Sequence, residues 1–170
     1  KVLQMLQQME QVFQKFGIDY FMAGAFARDL HFESKDERKN LRRTDDIDIA
    51  VCINHEEEFH ELVKALEDTG DFVQNQNEPI KLKHKLGFEV DLIPFGEIEN
   101  EKRETKLSKP KIFVINMPGF LEAAPFAVDI KSGGLTLKTC PIEGLIMLKL
   151  ISWDDRPHRT HDLTDIDHII

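Results

Sequence analysis

Apolar residues near the start of the chain recur three and four positions apart, at Val2, Leu3, Leu6, Met9, Val12, Phe13 and Phe16. That spacing lines one face of a helix and predicts its end near Gly17. "IDYFMAG" then predicts a short buried strand stopping at Gly24, and "AFARDLHF" returns to helical spacing before the polar loop "ESKDERKNLRR". "DIDIAVCI" predicts a second strand. "HEEEFHELVKALEDTG" predicts a helix, acidic in its first turn, apolar at Phe59, Leu62, Val63 and Leu66, and closed by Gly70. From Asp71 to about Leu137 the period shortens to two. "FVQNQN", "IKLKHKL", "FEVDLIPF", "KIFVIN", "FAVDIKS" and "GLTLKT" are short strands parted by Gly, Pro or Asn. Pro141 opens a last helical stretch, "IEGLIMLKLISW", which "THDLTDIDHII" continues after a polar break. The pattern predicts an α/β (α+β) chain: a helix–strand–helix–strand unit, a mostly antiparallel sheet and C-terminal helices.

At 170 residues the chain has room for one domain with a real core, or one domain and a small appendage. The expected division is a core over 1–140 and the start of a C-terminal helical region over 141–170. With 41% hydrophobic and 31% charged residues, the composition is that of a folded protein rather than a disordered one. No apolar run approaches the ~20 residues of a membrane span, and the Gln-rich N-terminus lacks the apolar centre and cleavage site of a secretory signal. Cys52 and Cys140 lie in apolar stretches, so a disulfide framework is not expected and a reducing cytoplasm is. The chain opens on Lys1 and stops in mid-pattern at Ile170, which reads as a piece of something longer. A net charge of −9 argues against a nonspecific nucleic-acid coat. The basic stretches "KLKHK" (Lys81–Lys85) and "KRETKLSKPK" (Lys102–Lys111) read as solvated loops or strand edges before they read as a binding patch.

One strand carries charge that a buried strand normally excludes. In "RRTDDIDIAVCI", Asp45, Asp46 and Asp48 stand at the head of a β-branched run. Residues two apart on a strand share a face, so Asp46 and Asp48 project together while Ile47 and Ile49 point to the core. Two such carboxylates repel unless a cation lies between them, and hard oxygen ligands favour Mg²⁺ or Mn²⁺. An EF-hand is excluded, because its loop glycine and terminal glutamate are missing. Asp91 interrupts "FEVDLIPF" in the same way, on one face with Glu89 and Ile93, while Val90 and Leu92 fill the other. If the two strands are neighbours, three carboxylates converge on one edge of the sheet, as a two-metal phosphoryl transfer requires. The plainer readings are a strand-end turn in which Asp46 and Asp48 cap a helix or pair with Arg42 and Arg43, and an Asp91 paired with an arginine.

Gly24, at the junction of strand and helix, lets backbone approach a ligand, and the helix N-terminus offers free N–H groups to phosphate. Ala23, Ala25 and Ala27 leave space around it. No Ser–His–Asp or Cys–His nucleophile set is apparent, and the seven histidines lack zinc-site spacing.

The ordered set "GAFARD" after a strand, then "TDDIDIAV", then "FEVDLIPF", resembles the nucleotidyltransferase superfamily typified by DNA polymerase beta. "LKLISWDDRPHRTHDLTDIDHI" is similar to the C-terminal signature of the AbiEii-like (abortive-infection) nucleotidyltransferases, the toxin halves of certain toxin–antitoxin pairs. The resemblance spans roughly positions 5 to 170. It implies a nucleotidyltransferase-like fold and transfer of NMP from an NTP to an acceptor hydroxyl, with pyrophosphate released. Gly24 and Ala25 would cradle the triphosphate, and Arg28 and Lys149 would contact the nucleotide. Asp46, Asp48 and Asp91 would be the catalytic carboxylates and would hold Mg²⁺ (or Mn²⁺). Asp162 and Asp165 would match the closing aspartates. The implied partners are the NTP, an acceptor that is an RNA end (tRNA included), a protein or a small molecule such as an aminoglycoside, and a cognate antitoxin. Ala25 stands where many members have Ser, and His161 where Arg often precedes the aspartate; Arg156 and Arg159 are the expected substitutes. A relative that binds nucleotide or protein without transfer is the second hypothesis, and an α/β interaction domain whose aspartates only cap and pair is the third. On residue pattern alone, Lys149 reads first as a solvent-facing lysine of an amphipathic helix.

Overall fold

The computed structural model describes residues 1–33, 46–155 and 166–167. Helix α1 (Val2–Phe16) turns Met5, Leu6, Met9 and Phe13 into the core, and Gly17, at φ 64°, ends it in the left-handed conformation. Strand β1 (Tyr20–Ala23) runs into helix α2 (Gly24–Glu33) with no intervening loop. Strand β2 (Asp46–Cys52) is followed by helix α3 (Glu56–Asp68). The His55 ring caps α3 by accepting the Glu58 N–H, and Glu56, Glu57 and Glu58 sit at the positive end of its dipole. Short strands come next: β3 (Phe72–Gln74), β4 (Lys81–His84), β5 (Glu89–Phe95), β6 (Glu104–Leu107) and β7 (Phe113–Asn116). A one-turn helix α4 (Phe120–Ala123) and a 3-10 turn (Ala124–Phe126) lead to β8 (Val128–Ser132), β9 (Leu135–Thr139) and helix α5 (Ile142–Asp155). Among the described residues no helix is long and apolar enough to cross a membrane.

Among the described residues seven strands form one sheet in the order β3-β4-β5-β2-β1-β9-β8, and β6 pairs with β7 in a separate ribbon. Only β2 with β5 and β1 with β9 run parallel, so the sheet is mixed and mostly antiparallel, as the strand pattern predicts. One face of the central strands is apolar: Ile47, Ile49 and Val51 of β2 beside Val90 and Leu92 of β5, all buried. It meets α1, where the Phe13 and Tyr20 rings lie 5.1 Å apart. The other face divides along its length. Phe21 packs against Phe95 and Phe120 at 5.4 and 6.4 Å and closes one end with α4. The other end carries Asp46, Asp48 and Asp91.

Local chemistry trims some expected elements. "FVQNQN" stops being a strand at Gln74, because the Asn75 side chain accepts the Asn77 and Glu78 N–H groups and turns the chain. "FAVDIKS" begins pairing only at Val128, since Pro125 sits in the 3-10 turn before it. Within the basic stretch, Glu104–Leu107 is a strand with Thr105 and Leu107 fully buried and the Thr105 hydroxyl donating to the Pro94 carbonyl at 2.8 Å.

That ribbon is tied down by Arg103, whose backbone is left-handed at φ 61°. Its guanidinium donates to both Glu122 oxygens, at 2.7 and 3.0 Å, and to Glu99, whose side chain is 4% exposed. The Arg103 bonds outweigh burial and hold the Glu122 carboxyl down at about 2. Replacing Arg103 by alanine leaves the buried Glu99 carboxylate, among the described residues, with the Gly96 N–H alone to bond it. A stability loss of about 1–2 kcal/mol is expected, read as a lower urea midpoint at unchanged slope.

Candidate active site

The site is assembled at the end of β1. Ala23 is the register partner of Asp48, and at the next residue the chain turns into α2. Gly24 makes that turn at φ 61°, with its backbone pressed on the Asp48 side chain. A Cβ at position 24 would overlap the Asp48 carboxylate oxygen and come within 3.0 Å of its carboxyl carbon. Glycine is therefore required twice, for backbone conformation and for space.

Asp48 is in turn the register partner of Asp91 on the parallel neighbour β5, and Asp46 is the partner of Glu89. Neighbouring strands lie about 4.8 Å apart, so the two carboxylates leave the same face side by side. Their strands, β2 and β5, are interior neighbours in the sheet. One strand further, Lys81 of β4 is the register partner of Asp91. Its Nζ lies 2.9 Å from Asp91 Oδ1 and 3.7 Å from Glu89 Oε2. A single row across the sheet thus reads Lys81, Asp91, Asp48, Ala23.

The electrostatics follow from that row. Burial, and then the Asp91 charge, push the Asp48 carboxyl up to about 6, while Lys149 and Lys81 pull against them. Burial also raises Asp91 above the usual carboxylate range despite its bond to Lys81. Burial works against the Lys81 charge, but Asp91 outweighs it and keeps the amine protonated.

Lys149, on α5, is near enough for its charge to act on Asp48. Helix α5 is seated against the glycine before α4, where a Cβ on Gly119 would meet Ile151 and Leu148 at 2.9 Å. Ala25, next to Gly24, is partly exposed. Arg28, on α2, is 3% exposed and its guanidinium bonds the adjacent Asp29 at 2.9 Å. Asp45, Arg42, Arg43, Arg156, Arg159, His161, Asp162 and Asp165 lie outside the described residues. Lys81 is the site residue that the sequence reading misses, because "KLKHK" has the composition of a solvated edge. The usable signal is the alternation in "IKLKHKL", which buries Leu82 and His84 and turns Lys81 to the face of Asp91. Lys81 and Glu89 also border a hollow of about 500 Å³ over β3 and β4, lined further by Gln74, Asn75, Lys83 and Lys85.

Among the described residues no three His, Cys, Asp or Glu side chains close around a common point as metal ligands. The donor set still suits a hard divalent cation. Two carboxylates stand side by side on β2 and β5, burial and then the charge of Asp91 drive Asp48 towards its neutral form, and the glycine at position 24 leaves room for the Asp48 carboxylate.

No protein-family model and no curated protein matches the chain. Solved structures do. The crystal structure of ANT(2")-Ia in complex with adenylyl-2"-tobramycin superposes with a TM-score of 0.61 over 98% of this chain and 86% of that one, at 14% identity. The lincomycin-bound lincosamide antibiotic adenylyltransferase LnuA gives 0.54 over 96% and 93%, at 16% identity. An antigenic nucleotidyltransferase-like protein from Paracoccidioides brasiliensis gives 0.52 over 94% and 70%, at 18% identity. The chain has the nucleotidyltransferase fold.

Proposed function

We propose that the protein is a nucleotidyltransferase that moves a nucleoside monophosphate from an NTP to an acceptor hydroxyl and releases pyrophosphate. The observation that carries this reading is the pairing of Asp48 with Asp91 on adjacent parallel strands, with the Gly24 backbone against Asp48. The fold shared with two antibiotic adenylyltransferases supports it. Gly24 lets the α2 N-terminus approach the triphosphate with unpaired N–H groups. Asp46, Asp48 and Asp91 are the residues that would hold Mg²⁺ or Mn²⁺. When bound, such an ion supplies Lewis-acid neutralisation of phosphate charge and acidifies a coordinated hydroxyl. Asp91, raised above the ordinary carboxylate range, accepts the proton of the acceptor hydroxyl as its oxygen attacks the α-phosphorus in line. The bond to the β-phosphate oxygen breaks and pyrophosphate leaves. Lys149 balances the charge of Asp48 and contacts the nucleotide phosphates.

The ligands of the two adenylyltransferases favour a small-molecule acceptor, ahead of an RNA end or a protein side chain. The abortive-infection subgroup, with its antitoxin partner, draws its support from the sequence motif around Lys149, Asp162 and Asp165. A nucleotide-binding relative without transfer is the second reading, favoured by the ion pair that Lys81 makes with Asp91.

Incubation with each labelled NTP, Mg²⁺ and candidate acceptors should show one nucleotide transferred with pyrophosphate released. Asp91→Asn should lower that rate about 10³-fold with an unchanged circular-dichroism spectrum. Nucleotide binding without pyrophosphate release from any NTP would establish the second reading in its place.

A further inference from the structure

We infer that Lys81 is a displaceable counter-ion: its ammonium holds Asp91 while no divalent cation is bound, and it must give up Asp91 for Asp48 and Asp91 to share one. The inference rests on the metal site of the proposed function and concerns a residue to which that reading gives no part. Lys81 Nζ occupies Asp91 Oδ1 at 2.9 Å, and Asp91 is the direct neighbour of Asp48. The amine and a shared cation therefore compete for one carboxylate on one face.

The geometry also gives the amine somewhere to go. Glu89 Oε2 is 3.7 Å away on the same face, and the Lys81 side chain is 21% exposed, at the rim of the hollow over β3 and β4. Of the neighbouring lysines, one is paired and the other is exposed. Lys85 pairs with Asp71 at 2.6 Å, and Lys83 stands opposite Glu89. Without an amine or a metal, Asp46, Asp48, Glu89 and Asp91 would face one another with Lys149 as the nearby cation acting on Asp48. Lys81 thus keeps the free site folded, at the expense of metal affinity.

Mn²⁺ titration of the whole chain, followed by the electron paramagnetic resonance of the free ion, tests this without reference to activity. Lys81→Met should bind Mn²⁺ about tenfold more tightly than wild type, equivalent to about 1.4 kcal/mol. Lys83→Met, a more exposed position whose charge is better screened, should change affinity by no more than about twofold. Equal or weaker binding by Lys81→Met, with wild type binding normally, overturns the inference and leaves the metal site standing. No Mn²⁺ bound by either chain overturns both. Should Lys81→Met fold poorly, the wild-type chain still decides: saturating Mg²⁺ should move the Lys81 Nζ resonance to that of a solvent-exchanging amine, and an unmoved resonance overturns the inference.

Discussion

Gly24→Ala is expected to lower stability by about 3 kcal/mol and to abolish nucleotide binding. The left-handed backbone at φ 61° costs an alanine about 1–2 kcal/mol by itself. The new methyl also overlaps the Asp48 carboxylate, with Asp48 Cβ only 3.3 Å away. The side chain can escape only by rotating out of register with Asp91, which relieves the overlap but dismantles the site. The balance between strain and escape decides how much stability is lost, but either route removes function. At about 2–4 °C per kcal/mol for a chain of this size, the melting temperature should fall by about 6–12 °C. An alanine variant that melts with wild type and still binds nucleotide would mean that the close approach at position 24 has no role.

The second large effect runs in the opposite direction for stability. Asp48→Asn should cut transfer by at least about 10³-fold and yet make the metal-free protein more stable at neutral pH. The Asp48 carboxyl sits at about 6 in the fold against an ordinary 3.8. Between those values the folded chain holds a proton that the unfolded chain has lost, so stability falls as pH rises. The penalty is absent below about pH 4, grows through the interval and is complete above about pH 6, where it amounts to about 1–3 kcal/mol. Urea denaturation of both proteins across pH 4 to 8, without metal, should therefore show curves that meet in acid and separate towards neutrality, asparagine on top. An Asp48→Asn variant less stable than wild type at pH 7 would make Asp48 a structural acceptor instead of a strained ligand.

Much of this arrangement is legible without coordinates. The faces of β2 and β5 follow from the pleat alone, because Ile47, Ile49, Val90 and Leu92 alternate with the aspartates. The ends of α1 and α3 follow from glycine and capping chemistry. Strand neighbours are set by long-range pairing, however, and no local pattern says that β5 passes β4 on one side and β2 on the other. That is why Lys81 reads as a solvated edge lysine in the sequence, and why the meeting of the carboxylates is there conditional on the two strands being neighbours. Arg28, whose place in "GAFARD" suggests a nucleotide contact, is buried and bonds Asp29, a partner that the motif alone does not reveal. Glu104–Leu107 escapes notice because four residues with two charges make too short a run for alternation to stand out.

The central claim is that Asp48 and Asp91 take hold of the same cation. Crystals grown with Mn²⁺ and a non-hydrolysable NTP, measured at a wavelength where manganese scatters anomalously, test it most directly. The account predicts an anomalous peak about 2.1–2.2 Å from oxygens of both residues, with the Lys81 amine withdrawn from Asp91. Bound nucleotide with no peak between them, and Lys81 still seated on Asp91, would contradict it.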